Sequence, residues 1–240
     1  MSHLVMGKNS VEEVIKNKPD VIEQIYTSLK REDPLVQIIL SNKIPCQFSD
    51  KRFLDSLVKS ESHQNIVAKI KSRNYMDVNE FIKKNENASS SVVLMLDSIF
   101  DPQNMGSILR AAECFKVDCV VFSKNRGTDI TPVVTKAASG GTELVNIIKV
   151  SNLATTLENF KDSGYWSIAC AISKDAKSLY DFKFTNKSVI ILGSEGEGIQ
   201  KLILKKADDI VYIPMLGSID SLNVSQAAAV FLAQLRSKGF

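Results

Sequence analysis

From residue 92 onwards, the apolar residues of the chain fall into short runs, and most runs are followed by a stretch with helical spacing of apolar positions. Strands that are buried on both faces have such runs, whereas apolar positions in helices recur every 3.6 residues. Six runs predict strands at residues 92–96, 119–122, 145–148, 166–171, 189–192 and 211–213. Six stretches predict helices at residues 105–115, 132–138, 153–163, 179–181, 199–206 and 224–238. This alternation predicts an α/β domain whose mostly parallel sheet is covered by helices on both faces.

The first third of the chain has the same alternation in shorter units, which predicts a small separate α/β domain over residues 1–75. Its predicted strands are residues 3–6, 21–26, 44–48 and 66–70, and its predicted helices are residues 11–17, 34–40 and 53–59. Asn9 or Ser10 could cap the first helix, and Asp50 could cap the third. Residues 76–91 are polar and end in three serines, which predicts a linker with one helical turn near residues 78–84. The second domain then covers residues 92–240.

Two irregular loops follow the strands predicted near residues 190 and 212. The first holds three glycines within six residues, Gly193, Gly196 and Gly198, together with two glutamates; the second runs over residues 214–223 and leads into the last predicted helix. Glycine permits positive φ angles and a close approach of a ligand to the backbone. Loops at the carboxyl ends of neighbouring strands are where an open α/β sheet binds its ligand. We therefore expect the ligand site between these loops.

The glutamates of the first loop restrict the kind of ligand. Glycine-rich loops before a helix often bind phosphate, but Glu195 and Glu197 would repel a pyrophosphate. The glycine spacing also fits neither the dinucleotide nor the nucleoside triphosphate fingerprint. A cationic or neutral ligand fits better. The alternative is a simple turn before a solvated helix, with Glu197 near the positive end of that helix.

Composition and charge narrow the class of protein further. Hydrophobic residues make up 44% of the 240, and no apolar run approaches the roughly 20 residues of a membrane span. The first residues lack the layout of a signal peptide, so we expect a cytoplasmic protein. The net charge is +3, and residues 1–75 alone contain 12 Lys/Arg against 9 Asp/Glu. This small basic excess is compatible with a nucleic-acid surface, or with an ordinary solvated one.

The sequence gives little support for a metal site. None of the four cysteines forms a CxxC pair, and only two histidines are present, so we expect buried, reduced thiols rather than zinc ligands. Asp97 and Asp101 could suggest a divalent ion, but Asp101 followed by Pro102 is better explained by turn chemistry. We therefore expect chemistry without a metal.

Three segments of the second domain resemble, in order and spacing, the motifs of the SpoU/TrmH family of RNA 2′-O-ribose methyltransferases, within the SPOUT superfamily. They are DSIFDPQNMGSILRAA at residues 97–112, LGSEGEG at residues 192–198 and IPMLGSIDSLNVSQAAA at residues 213–229. The resemblance extends over residues 92–236. It implies S-adenosylmethionine as the methyl donor, a trefoil knot near the C-terminus and a homodimer formed through the knotted domain. The apolar faces of the helices predicted near residues 105–115 and 224–235 could contact a second copy or form internal core.

The resemblance also implies which residues act. The implied catalytic residues are Asn104, Arg110, Glu195, Ser221 and Asn223. The implied cofactor contacts are Thr142, Gly193, Gly196, Ile213, Met215, Ser221, Leu222 and Ser225. Asn104 is expected at or near a helix N-cap, a role that can coexist with a catalytic one, and Glu195 could orient Arg110 through a charged pair. Family members are proposed to use this arginine as the base for the 2′-hydroxyl. A guanidinium is normally always protonated, so the alternative is that Arg110 binds a phosphate and positions the ribose.

The first domain carries a weaker resemblance. Gly7, Val11, Val14 and the segment HQNIVA at residues 63–68 resemble the substrate-binding domain of the family, which is similar to the L30e/L7Ae RNA-binding fold. Asn65 stands where the family usually has glycine, but Asn tolerates left-handed backbone. We expect His63 to be structural rather than catalytic.

The two-domain layout implies RNA as the partner, with a guanosine of 23S rRNA as the first expectation and tRNA as the alternative. The sequence itself does not specify the nucleotide, because RNA is read by loop shape and stacking rather than by a short motif. A non-catalytic RNA-binding or ribosome-assembly protein is the competing hypothesis, and the intact set of implied catalytic residues argues against it.

Overall fold

A computed structural model describes residues 3–71, 75–237 and 239, and it contains one small and one large sheet. The strands of the small sheet are β1 (His3–Met6), β2 (Ile22–Thr27), β3 (Cys46–Phe48) and β4 (Ile66–Ile70). Their order is β1-β4-β2-β3, with β4 antiparallel to both neighbours and β3 parallel to β2. The helices are α1 (Lys8–Asn17), α2 (Pro34–Ser41) and α3 (Lys51–Val58), and a 3-10 turn covers Pro19–Val21.

The start of α1 differs from the prediction. The helix begins at Lys8 rather than Val11, and neither Asn9 nor Ser10 caps it. Gly7 precedes the helix with φ +95°, and the backbone N–H of Lys8 donates to Oε1 of Gln64 at 2.9 Å. The capping acceptor therefore comes from a distant segment, which the local pattern does not show.

Three other predictions for this domain are confirmed. Asp50 caps α3, since its carboxylate accepts from the backbone N–H of Phe53 at 2.8 Å. His63 is fully buried, with Nε2 2.8 Å from Asp55 and with Nδ1 accepting from the backbone N–H of Asn65. Asn65 adopts φ +64°, so the turn keeps its left-handed conformation without glycine. His63 is thus a structural residue that fixes this turn.

The large sheet has seven strands, and every pairing within it is parallel. The strands are β5 (Ser91–Leu96), β6 (Cys119–Ser123), β7 (Ile147–Val150), β8 (Trp166–Cys170), β9 (Lys177–Ser178), β10 (Lys187–Leu192) and β11 (Asp209–Tyr212). Their order is β7-β6-β5-β10-β8-β11-β9, so β10 lies between β5 and β8. The predicted α/β class with a parallel sheet is confirmed. The knot implied by the resemblance stays a prediction.

Helices cover both faces of this sheet. They are α4 (Val78–Lys84), α5 (Pro102–Cys114), α6 (Pro132–Ala138), α7 (Gly141–Leu144), α8 (Leu153–Asp162), α9 (Lys201–Lys206) and α10 (Val224–Ser237). Leu94 and Ile190 pack with α5, α6 and α10, whereas Val93 and Ile191 pack with α4, α8 and α9. Successive strand residues therefore enter opposite cores, which explains why the strands are apolar throughout.

Several predicted bounds in this domain are wrong. The short helix predicted at residues 179–181 is absent from the described residues; instead β9 pairs with β11, and the backbone N–H of Leu179 donates to the Tyr212 carbonyl. The strand predicted at residues 145–148 begins two residues later, because Val145 is the C-cap of α7. Lys238, the last residue of the final predicted helix, lies outside the described residues.

The apolar faces of α5 and α10 belong to the internal core. Met105, Ile108 and Leu109 of α5 are buried together with Phe231 and Leu232 of α10. The sequence left open whether these faces contact a second copy or the core of the same chain. The structure places them in the core.

The two sheets are joined through α6. Helix α1 and strand β1 both contact α6, and Ser10 Oγ donates to the Thr135 carbonyl at 3.2 Å. The helix predicted inside the linker, α4, buries Val78 and Phe81 in the core of the large sheet. The small domain is therefore fixed beside α6. Among the described residues, no helix combines the length and the apolar character that crossing a membrane requires.

Candidate active site

A cavity opens at the carboxyl ends of β8, β10 and β11. Its walls are mostly apolar, and its charged and hydroxyl side chains come from the two irregular loops and from Tyr212 at the end of β11. The lining residues are Cys170, Ala171, Ile172, Leu192, Gly193, Ser194, Glu195, Val211, Tyr212, Ile213, Met215, Asp220, Ser221, Leu222, Val224, Ala227 and Phe231. This is the position predicted for a ligand of an open α/β sheet.

Five of the eight predicted cofactor contacts line this cavity: Gly193, Ile213, Met215, Ser221 and Leu222. The other three lie elsewhere in the described structure. Gly196 is exposed in the glycine loop, and Ser225 donates to the side chain of Asn223. Thr142 is buried on α7, where its hydroxyl donates to Glu143 at 3.2 Å, and it lines a different cavity between the two domains. The structure therefore does not bring Thr142 to the site.

The glycine loop closes on itself. Ser194 and Gly198 exchange two backbone hydrogen bonds of 3.2 and 3.0 Å, and Gly198 has φ +67°. A Cβ on Gly193 would overlap the backbone of Gly198. Gly193 is therefore required by the folding of the loop itself, and the tight turn carries Glu195 to the mouth of the cavity.

Three side chains from the three motifs form one hydrogen-bonded network at this mouth. Oε1 of Glu195 accepts from Nδ2 of Asn104 at 3.1 Å, from Nδ2 of Asn223 and from the backbone N–H of Val224 at 3.4 Å. Nδ2 of Asn223 also donates to Oδ1 of Asn104 at 2.9 Å. The network links the first turn of α5, the glycine loop and the start of α10.

The local sequence places these side chains at helix starts. Asp101 caps α5 by accepting from the backbone N–H groups of Gln103 and Asn104, so Asn104 lies near the N-cap and not at it. Asn104 instead lies in the first turn, which leaves its amide free to reach Glu195. Asn223 makes the capping bond of α10, since its Oδ1 accepts from the Ser225 N–H at 2.9 Å. A carboxylate beside the start of α10 also lies at the positive end of the helix dipole.

Arg110 lies outside this network. It is exposed on α5, six residues after Asn104 and therefore about 9 Å further along the helix axis. Its Nη1 donates to Ser139 Oγ at 3.5 Å, and no salt bridge links it to Glu195, although both side chains are described. The structure does not form the predicted Glu195–Arg110 pair: Oε1 of Glu195 accepts from Asn104, Asn223 and the Val224 N–H, at the starts of α5 and α10. The structure thus groups Asn104, Glu195 and Asn223, and places Ser221 in the cavity wall.

Sequence reasoning missed the structural role of Asp97. This buried carboxylate accepts from the backbone N–H of Gln200 at 2.7 Å, from Nε2 of Gln200 at 2.6 Å and from Ser98 Oγ at 2.9 Å. It therefore ties the end of β5 to the segment that follows the glycine loop. Asp97 and Asp101 both have hydrogen-bonding roles, and no group of three or more His, Cys, Asp or Glu side chains in the described structure has a metal-binding arrangement. The sequence carries one signal for this role, which is the position of Asp97 directly after a predicted strand.

The cysteines are free, but they are not all buried. Burial raises the pKa of the Cys119 and Cys170 thiols, so both stay protonated at neutral pH, and Cys170 lines the cavity. Cys46 is half-buried and Cys114 is exposed at the end of α5. The expectation of buried thiols is therefore wrong for Cys114, because the last residue of α5 points away from the core.

Replacing Asn223 with alanine should weaken binding of the expected cofactor, S-adenosylmethionine, about tenfold and slow the expected methyl transfer. The change removes the donor shared by Glu195 and Asn104 and also the N-cap of α10, which by itself contributes about 1 kcal/mol. Affinity for S-adenosylhomocysteine, measured by calorimetry, tests this. Asn152→Ala is a matched control, since Asn152 caps α8 by accepting from Thr155. Equal affinities in the Asn223 and Asn152 variants would remove Asn223 from the site.

Comparison with known proteins assigns the family. Residues 91–233 match the family described as "SpoU rRNA Methylase family", and residues 4–76 match "RNA 2'-O ribose methyltransferase substrate binding". The chain is 32% identical to the 23S rRNA (guanosine-2'-O-)-methyltransferase RlmB of Yersinia pestis, with 100% of this chain and 99% of that protein covered. It is 30% identical to RlmB of Escherichia coli K12, with 97% of each covered.

A solved structure of similar fold superposes on almost the whole chain. The SpoU methyltransferase AviRb from Streptomyces viridochromogenes, in complex with its cofactor AdoMet, superposes with a TM-score of 0.80 at 18% identity. The superposition covers 99% of this chain and 90% of AviRb. The chain therefore belongs to the SpoU rRNA methylase family, the RNA 2′-O-methyltransferases that its three motifs predict.

Proposed function

We propose that this protein transfers a methyl group from S-adenosylmethionine to the ribose 2′-hydroxyl of a guanosine in 23S ribosomal RNA. The observation that carries the proposal is the network of Asn104, Glu195 and Asn223 at the mouth of an apolar cavity. The full-length likeness to proteins named 23S rRNA (guanosine-2'-O-)-methyltransferase supports the choice of RNA and nucleotide.

The chemistry of the cavity fits this cofactor. S-adenosylmethionine supplies a methyl group carried on a positively charged sulfonium. Apolar walls such as Ile213, Met215 and Leu222 suit a planar aromatic base, and backbone groups at the ends of the strands can bond its edge. Glu195 and Asp220 also line the cavity, and their negative charges suit a cation but would repel a pyrophosphate. We propose that Gly193 and Ser221 complete the set that holds the cofactor.

The network has a positioning role in this proposal. Asn104 and Asn223 are locked to Glu195 and to each other, so their polar groups have fixed directions at the mouth of the cavity. Fixed hydrogen-bonding groups can orient the ribose without reorganising during the reaction. Arg110 then binds a phosphate of the RNA through its charged fork, because its guanidinium is exposed and, among the described residues, makes a single long bond, to Ser139.

Residues 1–75 recruit the RNA, in agreement with the substrate-binding match over residues 4–76 and with the basic excess there. A second copy of the chain covers the loop before α10, where Leu216 is 97% and Ile219 is 77% exposed. Such exposed apolar side chains are typical of an interface. We further propose a knotted C-terminal region, a homodimer formed through it, and a cytoplasmic enzyme.

Methyl transfer from radiolabelled S-adenosylmethionine to total RNA tests the proposal. The RNA is taken from cells that lack this gene and is separated into 23S, 16S and transfer RNA. We expect label in 23S RNA, recovered as 2′-O-methylguanosine. RNA from cells with the gene is the control and should accept less label, because its site is already methylated.

Two results would contradict the proposal. Label confined to transfer RNA would overturn the choice of substrate while keeping the reaction. Absence of label from every fraction, with S-adenosylhomocysteine binding demonstrated, would overturn methylation of mature RNA and favour a precursor or an assembly intermediate as the substrate.

A further inference from the structure

A second cavity lies beside the cofactor cavity. Three residues, Ser194, Glu195 and Val224, line both cavities. The full lining of the second cavity is Ser98, Ile99, Phe100, Asp101, Asn104, Ser194, Glu195 and Val224. The Asn104–Glu195–Asn223 network therefore lies at the boundary between the two cavities, so a group held at the network can reach both.

Phe100 stands out in the wall of this second cavity. Its side chain is 61% exposed, although phenylalanine is usually buried. Within the described part of the chain, no aromatic ring and no cation stacks on it, unlike Phe48, which Arg31 covers at 5.2 Å. Packing in the protein core therefore does not account for an aromatic side chain at position 100.

The backbone around Phe100 is held from both sides. On one side, the carbonyl of Ile99 accepts from the Thr128 N–H at 2.8 Å, and a Cβ on Gly127 would meet the same carbonyl at 2.8 Å. On the other side, Asp101 caps α5. The ring is thus presented to solvent from a fixed backbone. Phenylalanine loses little side-chain entropy on binding, so this arrangement suits a preformed contact surface.

We infer that Phe100 stacks on the base of the nucleotide whose ribose is methylated; this rests on the proposed function. The base is attached to the ribose carbon next to the one that carries the 2′-hydroxyl. A ribose oriented at the network therefore places its base close by, in the second cavity. Unpaired RNA bases are typically held by stacking on aromatic side chains. Arg126, exposed one residue before Gly127 and hydrogen-bonded to Gln200 at 2.8 Å, adds a cation for a neighbouring phosphate.

Kinetics with unmodified 23S rRNA made by transcription test the inference. Phe100→Leu keeps an apolar side chain but removes the ring, and we expect kcat/KM for RNA to fall about tenfold or more. Affinity for S-adenosylhomocysteine and the unfolding temperature should not change, because the side chain is exposed and does not line the cofactor cavity. Phe100→Tyr should retain most activity. Tyr180→Leu is the matched control, since Tyr180 is 55% exposed and lines neither cavity.

A fluorescence measurement reports stacking directly and does not depend on catalysis. The chain has one tryptophan, Trp166, so Trp166→Phe combined with Phe100→Trp places a single indole at the proposed contact. Adding the 23S transcript should quench this indole, whereas an indole introduced by Tyr180→Trp should respond weakly. Equal responses at the two positions, or wild-type kcat/KM in Phe100→Leu, would overturn the inference. If wild-type enzyme labels no RNA, the proposed function fails, and the quenching alone then decides whether Phe100 stacks on RNA bases.

Discussion

Arg110→Ala should reduce methyl transfer by at least about a hundredfold while S-adenosylhomocysteine affinity stays within about twofold of wild type. The loss is expected because a phosphate clamp that positions the ribose can control the rate by this factor. The affinity should survive because Arg110 does not line the cofactor cavity and makes no bond to Asn104, Glu195 or Asn223 in the described structure. Single-turnover methylation of 23S RNA and calorimetry with S-adenosylhomocysteine measure the two quantities.

Two further variants separate the possible roles of this arginine. Ser139→Ala removes only the 3.5 Å bond to the guanidinium and should behave like wild type. Arg110→Lys keeps the charge but loses the planar fork, so it should remain at least about tenfold slower. If the side chain acts as a base instead, Arg110→Lys should shift the pH dependence of kcat to lower pH, since the pKa of lysine lies near 10.4. Turnover within threefold of wild type in Arg110→Ala would refute both roles.

The sheet was predictable because its strands are buried on both faces. The apolar runs at residues 92–96 and 189–192, which lie within β5 and β10, have no polar alternation, and this is the sequence pattern of a covered parallel sheet. The position of β10 between β5 and β8 was not predictable in the same way. Strand order depends on how distant segments pair, and runs of valine and isoleucine pair with many partners equally well. Strand β9 is too short for any pattern, and its two residues are defined by their pairing with β11.

The site was predictable as a set of segments but not as a set of contacts. The motif resemblance selected Asn104, Glu195 and Asn223, and the structure brings all three together. Because Glu195 and Arg110 are the two oppositely charged side chains among the implied catalytic residues, a pair between them was also expected. The carboxylate instead accepts from two uncharged amides, because the tight glycine loop faces the start of α5 rather than its middle. Which polar groups meet depends on loop geometry, and the chemical types of the residues do not specify that geometry.

The glycine loop itself provides a test of this geometry, since it contains two predicted cofactor contacts with opposite surroundings. A Cβ on Gly193 would overlap the carbonyl carbon and oxygen of Gly198, whereas a Cβ on Gly196 would meet no atom within 4 Å. Gly196 also lacks a positive φ angle. The two glycines therefore form a matched pair, in which the same substitution disturbs the loop at one position and spares it at the other.

Gly193→Ala should lower the unfolding temperature by about 5 °C or more and weaken S-adenosylhomocysteine binding more than tenfold. Overlap with backbone cannot be relieved by a side-chain rotation, so the loop must open, at a cost of about 1–3 kcal/mol. Opening it also moves Glu195 away from Asn104 and Asn223. Calorimetric unfolding and titration with S-adenosylhomocysteine, applied to Gly193→Ala and to Gly196→Ala, measure the unfolding temperature and the affinity. Gly196→Ala should unfold like wild type, and a selective loss of ligand affinity there would support the predicted cofactor contact. A Gly193→Ala protein with wild-type stability and affinity would show that loop closure does not shape the site.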